Sequence, residues 1–144
     1  MNRLHFQPIQ GKSLDIIDAI VKTEEVASVV KNWAMLSVVV EELVVNIVDY
    51  AHSDYLDVEI VRDKKCIILR FHDGGVPFNP LKKPSPSFSI PMEHRKIGGL
   101  GIFLVIHNMD TVAYEHTGGE NILTVMKKIK NKELWRLQRK NILS

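Results

Sequence analysis

The apolar positions of the chain change period several times, and each change marks an element. Residues 55–62 alternate Leu56, Val58 and Ile60 with Asp57 and Glu59, the two-residue period of a strand with one buried face. Asp63-Lys64-Lys65 makes a turn, and residues 66–72 form the partner strand. Residues 111–117 and 121–129 repeat this arrangement around Gly118-Gly119, which predicts a second hairpin. Earlier, an extended start over Leu4–Ile9 gives way to helix from about Ser13, a good N-cap residue. Residues 36–51, "LSVVVEELVVNIVDYA", are rich in valine, which favours strand. Their length and their freedom from Gly and Pro favour helix, and helix is the expectation. Residues 102–109 read as a buried helix and 132–140 as a C-terminal one. Helices and antiparallel hairpins in separate blocks predict an α+β fold. It is a two-layer α/β sandwich whose mixed, mostly antiparallel sheet carries the helices on one face.

One stretch has neither period. "PFNPLKKPSPSFSIPMEHRK", residues 77–96, holds five prolines and three serines, and proline at that density forbids regular structure. An irregular stretch this long inside a domain is usually either functional or disordered, and it reads as a mobile lid at about 77–97 within a single domain spanning 1–144. Composition narrows the class further. The chain is 45% hydrophobic and 25% charged, which excludes disordered, collagen-like and disulfide-scaffold classes. Nineteen Lys and Arg against 17 Asp and Glu leave +2, too balanced for a nucleic-acid surface. The basic C-terminal end, including Arg136, Arg139 and Lys140, reads as a solvated helical tail. The single cysteine, Cys66, offers neither a disulfide nor metal-ligand spacing and is expected to pack in the core. No signal peptide or membrane span is legible, so a soluble, cytoplasmic protein with no membrane partner is expected.

Three features could carry chemistry. Gly98, Gly99 and Gly101 precede an apolar helix. Backbone amides at a helix start lack internal partners and attract anions. A tight turn that needs positive φ is the competing reading. Asp73 continues the inward row Ile67, Leu69, Phe71 of its strand. A buried carboxylate there must find a donor, although Asp before glycine also simply closes turns. Glu42, Asn46 and Asp49 form one stripe on the helix 36–51. That stripe either faces solvent or presents oxygen ligands to a hydrated magnesium ion.

Taken in order, "EELVVNIVDYAH", "FHDGGVPFNPL" and "IGGLGIFLVIHNMD" resemble the GHKL (Bergerat) ATP-binding fold of histidine kinases, gyrase, mismatch-repair proteins and heat-shock chaperones. Within that group the chain is most similar to the bacterial anti-sigma factor serine/threonine kinases. The resemblance implies ATP and Mg²⁺ as cofactors, with Glu42 as general base and Asn46 as magnesium ligand. It implies that Asp73 reads the adenine amino group, with Gly75 beside the ring and Thr124 supporting the carboxylate. Gly98, Gly99, Leu100 and Gly101 would surround the phosphates. The implied partners are a sigma factor and a STAS-type anti-anti-sigma protein, with no direct nucleic-acid contact. Homodimers are common among such relatives. Tyr50 replaces a frequent histidine and Asn79 a frequent aspartate, which leaves two alternatives to the kinase: a nucleotide-dependent binding module, or a stand-alone histidine-kinase fragment.

Overall fold

The computed structural model describes residues 1–82 and 97–129. Most of the expected lid and the expected helix 132–140 lie outside the described residues. The elements in chain order are β1 (Asn2–Phe6), α1 (Ser13–Val21), α2 (Glu24–Val30), α3 (Met35–Tyr50), β2 (Leu56–Arg62) and β3 (Cys66–Asp73). A 3-10 turn at Pro80–Lys82, α4 (Ile97–Asn108), β4 (Thr111–Thr117) and β5 (Glu120–Lys128) follow. The strands form one sheet in the order β1-β2-β3-β5-β4. Every pairing in it is antiparallel, so no parallel pair enters among the described residues.

Local chemistry explains the boundaries. The helix that begins at Ser13 breaks after Val21, and Thr23 restarts it. The Thr23 hydroxyl accepts from Val26 N at 3.4 Å and donates to Ile20 O at 2.7 Å, the behaviour of an N-cap. In the β2–β3 turn Asp63 Oδ1 accepts from Lys65 N at 2.7 Å and Cys66 N at 2.9 Å. Those two bonds hold its carboxyl below the usual range. Gly118 and Gly119 both take positive φ, 59° and 77°, which a two-residue hairpin turn requires and which only glycine adopts freely.

Strand parity separates the two faces of the sheet. Leu56, Val58, Ile60, Ile67, Leu69, Phe71, Leu123 and Val125 are buried together against Ile16, Ile20, Leu36, Val40, Leu43 and Val105 from the helices. The alternate residues, Ile68, Ile122, Thr124 and Met126 among them, stay partly exposed on the other face. Cys66 belongs to that second row and is half-buried. The expected core role is therefore wrong: position 66 shares parity with Ile68, not with Ile67. Helix α3 is buried around most of its girth, from Leu36 to Val48. It touches α1, α2 and α4. Burial against several neighbours at once is why a valine-rich segment folds as helix here, since packing overrides the weak intrinsic preference.

Candidate functional site

Strand β3 ends on Asp73, which is 3% exposed and aligned with Asn121 of β5. Burial pushes the Asp73 carboxyl up, and two hydrogen bonds pull against that push. Both bonds go to one oxygen: Asn121 Nδ2 and Gly75 N each donate to Asp73 Oδ1 at 2.9 Å. The two glycines that follow are fixed by packing. A Cβ on Gly74 would lie 2.6 Å from the Tyr55 ring, and one on Gly75 would lie 1.8 Å from the Ala51 carbonyl oxygen. Val76 N donates to that same Ala51 oxygen at 3.0 Å. The strand end is thereby pinned to the C-terminal end of α3.

The middle of α3 supplies the next groups. Asn46 is 2% exposed, and its Nδ2 donates to the Glu42 carbonyl one turn earlier at 2.8 Å. Its Oδ1 is buried with no hydrogen-bond partner. An orphaned buried acceptor costs about 1–3 kcal/mol, and such groups concentrate where a ligand completes them. Glu42 is half-buried, and its carboxyl is raised above the ordinary range by burial, with the neighbouring Glu41 charge adding to it. Asp49, the third member of the stripe, is exposed. The stripe is thus split: Asn46 inside, Glu42 at the border, Asp49 in solvent.

The glycine cluster differs from expectation. Helix α4 begins at Ile97, so Gly98, Gly99, Leu100 and Gly101 lie in its first turns instead of forming a turn ahead of a helix at 102. The reason for Gly101 is close approach. A Cβ there would sit 1.8 Å from Glu42 Oε2, so the carboxylate lies against bare α4 backbone. The amides at the start of α4 have no intrahelical carbonyl to bond. Helix α3 therefore borders both halves of the site. Glu42 meets Gly101, and Ala51 meets Gly75, nine residues further along, or about 13 Å at 1.5 Å per residue.

Thr124 is not brought to Asp73. It lies on the opposite face of β5 and pairs with Arg70 and Ala113. Asn121, which shares parity with buried Leu123 and Val125, makes the contact instead. Sequence reasoning missed it, although its position at the start of an alternating strand carries that parity. Tyr50, on the exposed end of α3, stacks on Phe78 with ring centroids 5.8 Å apart. A cavity of about 520 Å³ elsewhere, lined by Glu24, Glu25, Ser28, Arg62, Asp63 and Lys64, contains none of these residues.

A helix-backed antiparallel sheet with a buried strand-end carboxylate, an Asp-Gly-Gly turn and an orphaned helical asparagine describes a nucleotide-binding α+β domain. The sequence agrees at the level of family: residues 15–127 match the histidine kinase-like ATPase domain, and the chain belongs to that family. Comparison with curated proteins yields no match. Among the described residues no helix is long and apolar enough to cross a membrane.

Proposed function

We propose that the protein binds ATP with Mg²⁺ and uses it to phosphorylate a serine or threonine of a STAS-type partner, and that this reaction governs its hold on a sigma factor. The observation that carries the nucleotide reading is Asn46 Oδ1, a buried acceptor without a partner beside Glu42. A hard cation takes oxygen ligands, and magnesium needs only one or two from protein when phosphates and water supply the rest. No group of three or more His, Cys, Asp or Glu among the described residues could hold a metal unaided, which suits a cation that arrives with its nucleotide. Asn46 would hold it, and it would neutralise phosphate charge.

The remaining roles follow from the chain's own groups. Asp73 is an acceptor for the exocyclic amino group of adenine. The glycine-bearing start of α4 offers backbone amides to the phosphates. Glu42, with a raised carboxyl pKa, removes a proton from the attacking hydroxyl, and a base poised nearer neutrality suits that task. The experiment is incubation with Mg-ATP and the cognate STAS protein, with Glu42→Gln as control. Transfer in wild type that falls by about 10²–10⁴-fold in E42Q supports the kinase. ATP binding without transfer to any candidate would leave a nucleotide-dependent binding module and reject the enzyme.

A further inference from the structure

Both ring nitrogens of His5 on β1 face acceptors. Nδ1 is bonded to Asp57 Oδ1 on β2, and Nε2 lies 3.3 Å from Gln7 Oε1. The orientation of the Gln7 amide is fixed in turn. Its Nε2 donates to Asp54 Oδ2 at 3.0 Å, and a flip would set its oxygen against that carboxylate. A neutral imidazole has one N–H donor, and only the imidazolium has two. The chain Asp57–His5–Gln7–Asp54 is therefore complete only while His5 carries both protons. The carboxylate is the stronger acceptor and keeps the proton that remains. Nε2 then either opposes the Gln7 oxygen or draws the flipped amide away from Asp54. His5 is exposed, so solvent protons reach it freely.

The loop that holds Asp54, residues 52–55, backs the turn at the end of β3. The Ser53 hydroxyl, on a residue 5% exposed, accepts from Gly74 N at 3.0 Å and donates to Tyr55 O at 2.8 Å. The Tyr55 ring lies over Gly74, where a Cβ would come within 2.6 Å of it. That ring also stacks on His5, with centroids 6.2 Å apart. Its hydroxyl donates to Glu120 Oε2 at 2.6 Å, a bond that pushes the Tyr55 pKa up to about 12 and keeps it neutral.

We infer that this chain is a proton-dependent latch: doubly protonated His5 holds the 52–55 loop against the back of the Asp73-Gly74-Gly75 turn, and loss of one proton slackens the turn and weakens nucleotide binding. The effect on binding rests on the nucleotide reading above, and the latch itself does not. Neighbouring charges set the direction. The bond to Asp57 is the main reason the His5 pKa stands above the ordinary histidine value, and Arg3 opposes it. Arg3 lies 3.8 Å from Asp57 and 3.9 Å from Glu59. His72 on β3 sits between Glu59 at 2.9 Å and Glu120 at 3.8 Å, and His52 in the loop itself is exposed. With a raised folded-state pKa, the latch is closed below the ordinary histidine value and opens as pH rises through the raised one. Exposed pairs are weak, so its effect on affinity is about two- to fivefold.

The test follows imidazole and amide resonances of nucleotide-free wild type, H5Q and Q7L from about pH 5.5 to about pH 8.5, a span that brackets the ordinary histidine pKa. Calorimetric titration with Mg-ATP at about pH 6 and about pH 8.5 accompanies it. In wild type the Ser53, Asp54 and Gly74 amides should shift with the midpoint of the His5 ring. Q7L cuts the link to Asp54, so its His5 should still titrate while those amides stop following. In H5Q the transition should vanish. Between the two pH values ATP affinity should fall about two- to fivefold further in wild type than in H5Q, a comparison that cancels the titration of ATP, Asp73 and Glu42. Amides that ignore the His5 midpoint in wild type would overturn the latch. A transition that survives in both variants would assign it to His52 or His72 and overturn it as well, as would equal pH dependence of ATP affinity in wild type and H5Q. Amides that follow His5 in a protein that binds no ATP would remove the nucleotide reading and leave the latch standing.

Discussion

Two glycines of the site should answer an added methyl group in opposite ways. In Gly75→Ala the new Cβ would lie 1.8 Å from the Ala51 carbonyl oxygen, where ordinary contact begins near 3.4 Å. The shortfall of about 1.6 Å falls on backbone at the end of α3, which cannot yield without moving the helix end or the strand end. Overpacking of that kind costs about 1–3 kcal/mol. The Val76 N to Ala51 O hydrogen bond, 3.0 Å long, would be strained as well, worth about 0.5–1.5 kcal/mol. The sum, about 2–4 kcal/mol, lowers the Tm by on the order of 10 °C for a chain of this length. In Gly101→Ala the overlap is equally severe, 1.8 Å to Glu42 Oε2, but the atom met is the free end of a flexible side chain. Glu42 swings aside, and Ala in a helix interior gains about 0.5–1 kcal/mol over Gly. G101A should therefore fold with stability within about 1 kcal/mol of wild type while losing phosphotransfer, because the carboxylate has left its place. The assay is urea denaturation of both variants, paired with phosphotransfer measurement. Equal destabilisation of the two, or a stable G75A, would refute the packing argument.

Asn46→Leu should make the nucleotide-free protein more stable by about 1–3 kcal/mol, since it removes an unmatched buried acceptor; it should also abolish any Mg²⁺ enhancement of ATP binding in calorimetry, and a destabilised N46L would mean that Oδ1 is not orphaned in solution. Asp73→Asn should weaken ATP binding by about 2–5 kcal/mol through a mismatched buried polar contact, so an unchanged Kd would remove Asp73 from base recognition. Because the folded-state pKa of Glu42 is raised, the native state holds that proton more tightly than the unfolded chain. Its contribution to stability is thus full below the ordinary glutamate pKa and is lost as pH rises through the raised value. Activity takes the opposite course, rising with pH as Glu42 ionises. E42Q should flatten both profiles in denaturation and rate measurements, and a wild-type pH dependence that persists in E42Q would assign it elsewhere.

The parts of the fold visible in sequence are those set by local period. The row Ile67, Leu69, Phe71, Asp73 announced a buried strand end, and the structure buries all four. Helix α3 was legible from length and the lack of breakers, against its valines. What stayed hidden depends on long-range register. The pairing of Asp73 with Asn121 joins strands 48 residues apart, and no local pattern states which β5 residue comes opposite. Thr124 was the wrong choice because its parity places it on the outer face, a fact available only once Leu123 and Val125 are known to face inward. Gly75 is similar in depending on a distant partner: a Cβ there would lie 1.8 Å from the carbonyl oxygen of Ala51, which precedes it by a whole hairpin. The break at Lys22–Thr23 carried a signal in the Thr23-Glu24-Glu25 cap, which a search for the first N-cap alone passes over.

The turn after Asp73 lies against the C-terminal end of α3 and the start of α4 against its middle, and the account requires them to hold two ends of one molecule. Amide chemical-shift mapping tests this most directly, with adenosine, inorganic tripolyphosphate and Mg-ATP added in turn to labelled protein. Adenosine should move the amides of Asp73–Val76 and Asn121, tripolyphosphate those of Ile97–Gly101, and Mg-ATP both sets together at one saturable stoichiometry. Mg-ATP shifts confined to one set, or two sets saturating independently, would contradict the claim.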